Sequence, residues 1–409
     1  MPESLPRVQC TSQERKDAID TLDQYLLDLE AKLTPSLEHL EMTEDVIDRL
    51  DRNVMTYLRT FTPVLDVYGS YLSGLYTPGS DLDLTLTGNT GNLRPDDVVA
   101  MLRYYHYESV RISRPMHEFV AQFIDPVTGI QCDLCLNQRL AIQNSLMIGT
   151  YVKMEPRLRP LVYALKRIAR HFCIEGTRHH ISSYAYTMWL ITFLKMQDPP
   201  ILPQLQPPPP PLLPPPEPIL DPSSSSSPPS TRAPPLRVDP ATLEKTVEVN
   251  GRILDRVIIE GHDCTFDDDW LRYRQTQDTS NPINITNATA ATTTTTTNSS
   301  LAATTPTPSK TPGELLLTFL EQYGFEHDYV HLDLHTRTAT LEPRQLGVYP
   351  LGKLPSPRLR ILDPFLLDRD LGVGARINGA MRIREAFQQS VNAILAKDLE
   401  LVFGEDDEE

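Results

Sequence analysis

Two aspartates stand two residues apart in Ser80-Asp81-Leu82-Asp83-Leu84, shortly after Gly69-Ser70, and a third follows in Cys132-Asp133-Leu134. The first stretch, VYGSYLSGLYTPGSDLDLTL, reads as a strand, a short helical piece opened by Gly-Ser, a tight Pro78-Gly79 turn and a second strand carrying Asp81 and Asp83. On a strand, residues i and i+2 project from one face, about 6.6 Å apart at about 3.3 Å rise per residue. If the strand around Ile130-Gln131-Cys132-Asp133-Leu134 is its neighbour, three carboxylates share that face. Three carboxylates in one place repel one another unless divalent cations lie between them. The chain is therefore expected to build a small mixed sheet with helices against one face, and to perform two-metal phosphoryl or nucleotidyl transfer. An isolated Asp-x-Asp is more often a pair of exposed aspartates at a turn. The ordered set of Gly-Ser, Ser-Asp-x-Asp and a strand-borne Asp133 sets this one apart.

Gly69 and Ser70 have a physical reason to precede the pair. A helix N-terminus offers free N–H groups and a positive dipole end, glycine lets a phosphate approach closely, and the serine hydroxyl adds a donor.

Composition narrows the class. The chain has 409 residues and a net charge of −16, so it is no general magnet for nucleic acid, and any RNA must be held by local basic patches. One such patch spans residues 151–180, where Lys153, Arg157, Arg159, Lys166, Arg167, Arg170 and Arg178 face only Glu155 and Glu175 in the count of charges. No apolar run is long enough to span a membrane. The start, MPESLPRVQC, lacks the basic and apolar pattern of a signal peptide. Five scattered cysteines suit a reducing, intracellular compartment. Cys132 and Cys135, three apart on a strand, point to opposite faces and make a poor zinc pair. His179-His180 reads as solvated or RNA-facing.

Along the chain, residues 12–59 read as two helices broken at Thr34-Pro35-Ser36, 98–106 as a helix, and 117–124 with 129–136 as a hairpin. Residues 140–196 are helical in pattern. From 199 to 240 prolines and the Ser223–Ser227 run dominate, and roughly 276–312 contains Thr292–Thr297. Such stretches are expected to be extended, mobile insertions within one helical domain. Between them, Thr246 to Trp270 suggests a strand and a short helical region. Leu316, Phe319, Leu320 and Tyr323 mark an amphipathic helix, 329–341 a strand or hairpin, and 378–397 a closing helix.

Several motifs in order (GSYLSGLYTPGSDLDL, CDLCLNQRLAIQNSLMIGTYVKMEPRLRPLVYALKRIAR, ISSYAY, PILPQL, GELLLTFLEQYG and ILDPF) resemble the polymerase-beta-like nucleotidyltransferase superfamily. More narrowly, the chain resembles its noncanonical poly(A) polymerases and terminal uridylyltransferases of the caffeine-induced-death type. The resemblance implies an α+β fold: a helix at 1–36 packed on a helical domain, a nucleotidyltransferase domain at 37–150, and a helical central domain at 151–400. That last domain includes a PAP-associated region at roughly 312–368 and is interrupted by insertions at 203–240 and 276–312, before an acidic tail at 401–409.

It also implies roles. Asp81, Asp83 and Asp133 would hold two Mg²⁺ ions, with Mn²⁺ able to substitute, and Asp133 would favour deprotonation of the RNA 3′-hydroxyl. Gly69 and Ser70, with Lys166, Arg170 and Ser183, would take the triphosphate. Asn144 and Ser145 would contact the ribose, Tyr184 would stack on the base, and Asp363 and Arg369 would lie beside it. Relatives usually have lysine where Arg170 stands. Uridine-selecting relatives carry an acid at position 366 and a histidine at 369, where this chain has Leu366 and Arg369. Arginine supplies only donors, which suit uracil O4 or an adenine ring nitrogen but not adenine's amino group; this tilts the expectation slightly toward UTP. Against that stands simple neutralisation of Arg369 by Asp368 and Asp370.

The expected activity is template-independent addition of UMP or AMP to RNA 3′ ends. The alternatives are a poly(A) polymerase and a catalytically silent RNA-binding scaffold on the same fold. The expected partners are an RNA 3′ end, UTP or ATP, and a protein recruited through the Pro-rich insertion. A monomer in the cytoplasm is expected, with the nucleus as the other location.

Overall fold

Thr11 opens the first helix, α1 (Ser12–Leu33), with a capping box: its hydroxyl accepts the Glu14 N–H at 3.2 Å, and the Glu14 carboxylate accepts the Thr11 N–H at 2.7 Å. Pro35 prevents continuation, and the Ser36 hydroxyl accepts the His39 N–H at 3.1 Å to start α2 (Leu37–Tyr57). The break also parts two cores. Leu22, Leu26 and Leu29 of α1 join a large helical cluster, whereas Val46, Leu50 and Val54 of α2 pack against a sheet. The computed structural model describes residues 5–113, 119–176, 181–209, 243–273, 310–344, 358–375 and 377–404. Residues 210–242 of the Pro-rich stretch, 274–309 of the Thr-rich stretch, Arg178, His179-His180 and the tail from 405 lie outside the described residues.

The sheet comprises β1 (Pro63–Val67), β2 (Leu82–Gly88), β3 (Glu108–Ser113), β4 (Val120–Ile124) and β5 (Gln131–Leu136) in the order β1-β2-β5-β4-β3. β2 and β5 run parallel and the other neighbours antiparallel, so the sheet is mixed, and β4 with β5 forms the expected hairpin over the described residues. A one-turn helix, α3 (Gly69–Ser73), links β1 toward β2, and α4 (Pro95–Tyr104) lies beside α2. Leu82, Leu84 and Leu86 of β2 and Cys132 and Leu134 of β5 fill the core under α2 and α4. By the period of two, Asp83 and Asp133 face the other side. One detail corrects the sequence reading: β2 begins at Leu82, so Asp81 stands just before the strand rather than on it. The edge strand β3 is an addition to the expected sheet; Val110 and Ile112 are too brief an alternation to read, and none of its residues is fully buried.

The helical layer contains α5 (Arg139–Met154), α6 (Leu158–His171), α7 (Ser183–Lys195), α8 (Pro312–Glu321, prolonged by a π turn at Gln322–Glu326), α9 (Ile377–Leu395) and α10 (Glu400–Phe403). Its centre is Trp189, with the rings of Tyr323, Phe319 and Phe387 at 4.6, 5.5 and 5.7 Å. Met147, Ile148 and Tyr151 of α5 already belong to this cluster, so a boundary at 150 falls inside a helix that touches both halves. The stretch from 199 also differs from expectation. Leu202, Leu205 and Gln206 are buried, so the first residues of the expected 203–240 insertion are part of the core. Proline content averaged over the stretch hides them.

Residues 246–263 form two hairpins, β6 (Thr246–Val249) with β7 (Arg252–Asp255) and β8 (Ile258–Ile259) with β9 (His262–Asp263), and a helical turn follows at 270–273. Asn250 and Gly251 turn the first with φ of 50° and 77°, the pairing that a two-residue hairpin favours. Finally β10 (Leu332–His335), β11 (Thr340–Pro343) and β12 (Ile361–Leu362) make a small sheet in the order β11-β10-β12, which sets the loop after β12 against the residues that follow β10.

Candidate active site

Asp83 and Asp133 are direct register partners across the parallel β2–β5 pair. Neighbouring strands lie about 4.8 Å apart, so the two carboxylates are forced together on the face away from the sheet core. Burial, with the charges of Asp133 and Asp81, pushes the Asp83 carboxyl up to about 7, although the Ser70 N–H and Lys166 oppose the shift. Burial also raises Asp133, while the Gln122 side-chain amide donates to it at 3.2 Å and works the other way. Asp81 is exposed at the rim, and its charge is felt by both. Among the described residues no group of three His, Cys, Asp or Glu side chains is already drawn into a ligand cluster. The donor set nevertheless fits a hard divalent cation: it is all carboxylate oxygen, strained by mutual repulsion. Cys132 is in the sheet core, and the Cys135 sulfur accepts the Tyr68 hydroxyl at 3.3 Å.

Gly69 sits against this pair. Its φ is +68°, and a Cβ there would lie 1.9 Å from Asp83 Oδ2. The N–H groups expected to be free for phosphate are engaged within the protein: that of Ser70 by Asp83, and that of Gly69 by the Ser145 hydroxyl at 2.8 Å. Ser145 in turn donates to the Ala141 carbonyl at 2.7 Å. Its hydroxyl therefore holds Gly69, a task that sequence reasoning missed because the two residues are remote in the chain. Gly149 lets α5 come close enough for this, since a Cβ would be 3.2 Å from the Leu72 carbonyl.

Lys166 is half-buried on α6, within electrostatic reach of Asp83, with Arg170 one turn along and exposed. Burial lowers the Lys166 ammonium, Arg170 adds to this, and Glu175 and Asp83 oppose it. Ser183, at the start of α7, donates to Glu175 Oε1 at 2.5 Å. Glu175 is a second residue the sequence reading did not single out. Its carboxylate occupies a donor that the resemblance assigns to phosphate.

The third group forms around Tyr184. Its hydroxyl donates to Asn144 Oδ1 at 2.8 Å and lies 3.4 Å from Asp363 Oδ2. Asp363 is 1% exposed, and its Oδ1 accepts the Phe365 and Leu366 N–H groups, each at 2.9 Å. Burial raises both the Tyr184 phenol and the Asp363 carboxyl. The Arg369 guanidinium, 56% exposed, stands 3.9 Å from Asp363 Oδ2, while Asp370 is paired with Arg358 at 2.6 Å. Asn144 and Ser145 are thus consecutive residues of α5 that bond in opposite directions, one to the Tyr184 group and one to Gly69 beside the carboxylates. A single turn of helix ties the two halves together.

Known proteins share parts of this sequence and its fold. Residues 22–153 match the family described as "Poly(A) RNA polymerase, mitochondrial-like, central palm domain". The chain is 30% identical over 198 residues to poly(A) RNA polymerase GLD2 of Danio rerio, covering 46% of this chain and 40% of that one. It is 31% identical over 204 residues to poly(A) RNA polymerase cid11 of Schizosaccharomyces pombe, covering 47% and 42%. The chain therefore spans well under half the length of these relatives. Among solved structures, Cid1 in complex with the UTP analogue UMPNPP superposes with a TM-score of 0.63 at 19% identity, over 92% of this chain and 94% of that one. A point variant of Cid1 bound to MgATP superposes with a TM-score of 0.62 at 18% identity, over 93% and 96%. At these identities the likeness establishes the α+β fold.

Proposed function

We propose, on the premise that this chain belongs to the family of noncanonical poly(A) polymerases and terminal uridylyltransferases, that it adds nucleotides without a template to RNA 3′ ends, with UTP preferred. The observation that carries this reading is the direct pairing of Asp83 with Asp133 on one sheet face, joined through α5 to the Tyr184 group. In the reaction, the RNA 3′-oxygen attacks the α-phosphorus in line and pyrophosphate leaves. Asp81, Asp83 and Asp133 would hold two Mg²⁺ ions, or Mn²⁺, which when bound neutralise charge on the attacking and departing oxygens. Asp133, whose carboxyl is raised by burial, would take the proton of the 3′-hydroxyl at its carboxylate oxygen.

Ser70, Lys166, Arg170 and Ser183 would receive the triphosphate, and Ser183 must then exchange Glu175 for phosphate. Tyr184 offers its ring to the base and Asn144 its amide to the ribose. Arg369, with donors only, suits uracil O4 and an adenine ring nitrogen but not adenine's amino group, which gives UTP a slight advantage. Adenylyl transfer is the second reading, favoured by the names of the GLD2 and cid11 relatives.

The decisive test supplies the purified chain with a short labelled RNA and each of the four NTPs singly, in Mg²⁺ and then Mn²⁺. Extension with UTP above the others is expected; extension with ATP alone selects the second reading. No extension under any condition overturns nucleotidyl transfer. A chain lacking residues 210–242 is expected to retain turnover on the same RNA, because that composition builds no core. A folded deletion variant that cannot extend RNA contradicts this.

A further inference from the structure

The loop that carries Asp363 and Arg369 is held from behind by one buried side chain. Arg337, just after β10, is 3% exposed. Its Nε donates to the Pro207 carbonyl at 3.0 Å. One terminal nitrogen donates to the Asp263 carbonyl at 2.9 Å and faces the Pro364 carbonyl at 3.5 Å, and the other reaches Asp263 Oδ2 at 3.2 Å. Asp263 is buried as well; Arg256 meets its Oδ2 at 2.6 Å, and the Thr265 hydroxyl meets its Oδ1 at 2.6 Å. The Pro364 carbonyl also accepts from Gln206 Nε2 at 3.0 Å, and the Leu362 carbonyl accepts the Thr336 hydroxyl at 2.6 Å. Both carbonyls that flank Asp363 are therefore anchored by buried donors. The donors are Gln206, Thr336 and Arg337, and Arg337 is itself held by the Pro207 carbonyl and by Asp263, so three places far apart in the chain meet here.

We infer that Arg337 is a positioning residue for the loop beside Tyr184, and that the 243–273 segment, held through Asp263, takes part in nucleotide selection. The inference rests on the nucleotidyl-transfer reading. A guanidinium is a planar fork whose donors point in fixed directions, so one side chain can hold Pro207, Asp263 and Pro364 in a single arrangement. A lysine keeps the charge but bonds as a point and cannot span all three. If the loop shifts, Asp363 and Arg369 move together relative to Tyr184 and Asn144. Asp83 and Asp133, on the sheet, stay where they are. Base recognition should suffer and the chemical step should not.

The test uses the full chain and the variants Arg337→Lys and Gln206→Leu. KM and kcat are measured for UTP and for ATP on a short RNA, with equilibrium binding of each nucleotide and a thermal melt. Losing hydrogen bonds from a charged donor predicts about a tenfold rise in KM for the preferred nucleotide in Arg337→Lys, with kcat little changed. The UTP-to-ATP ratio of kcat/KM moves toward one, whichever way the wild type leans. Gln206→Leu moves both in the same direction by less. A folded Arg337→Lys chain with wild-type KM and ratio overturns the inference, as does one that loses kcat equally for both nucleotides at unchanged KM. If Arg337→Lys does not fold, Gln206→Leu is judged by the same criteria. A wild-type chain that binds neither nucleotide overturns the nucleotidyl-transfer reading and this inference with it.

Discussion

Asp83→Asn is expected to abolish RNA extension while leaving the chain folded, and to flatten the dependence of its stability on pH. Metal stabilisation of transition-state charge is worth several kcal/mol and each ~1.4 kcal/mol is tenfold in rate, so a fall of about a thousandfold or more is expected. Asp81→Ala should do the same at no cost to the fold, because Asp81 is exposed. The pH effect follows from the position of Asp83. Its folded-state pKa of about 7 lies well above the ordinary carboxylate value. Between the two values the folded chain keeps a proton that the unfolded chain releases. The associated stability is complete below the unfolded value and is lost as pH rises through about 7. Asparagine has no proton to lose. Melting without divalent cations should therefore decline more steeply from about pH 5 to about pH 8 in the wild type than in Asp83→Asn, and Mg²⁺ at about pH 8 should restore only the wild type. Parallel pH profiles would dismiss the raised Asp83 carboxyl; normal extension by the variant, or equal restoration of both chains by Mg²⁺, would dismiss its metal role.

What the sequence disclosed was whatever obeys a short-range period. Alternation along Leu82, Leu84 and Leu86 sends those leucines into the sheet core and leaves Asp83 on the other face, and the same rule places Asp133 opposite Cys132 and Leu134. The helix break at Pro35 and the amphipathic stripe of α8 are equally local. What stayed hidden depends on pairs remote in the chain. Nothing near Ser145 says that its hydroxyl meets the Gly69 N–H, and nothing near Glu175 says that Ser183 donates to it once α7 folds back. Arg337 reads as one more surface arginine in a strand-like stretch, yet its partners are Pro207, Asp263 and Pro364. The burial of Leu205 and Gln206 was masked in the same way, because the prolines around them set the composition while the packing of two residues set the structure.

Gly69→Ala adds one methyl group and is expected to remove activity as thoroughly as Asp83→Asn. Two penalties fall on the same atom. The backbone φ of +68° lies in the left-handed region, where a side chain costs about 1–2 kcal/mol. The new Cβ would also lie 1.9 Å from Oδ2, 2.7 Å from Cγ and 2.9 Å from Cβ of Asp83. Rotation can carry the carboxylate oxygen and carbon away, but Asp83 Cβ is fixed by the backbone, so the Gly69 turn or the strand must also give by a few tenths of an ångström. Rotating the carboxylate away breaks its bond with the Ser70 N–H and its alignment with Asp133. The damage is thus local to the expected metal ligands, and the loss of stability should stay near about 1–3 kcal/mol. Gly79→Ala is the natural control: it lies in the neighbouring turn, has nothing within 4 Å of its Cβ direction, and should behave as wild type. Urea melts would report the modest stability loss, and extension of a labelled oligonucleotide the large activity loss. If Gly69→Ala extends RNA at the wild-type rate, the position of the Asp83 carboxylate is irrelevant to turnover, and the chemistry must lie elsewhere on the molecule.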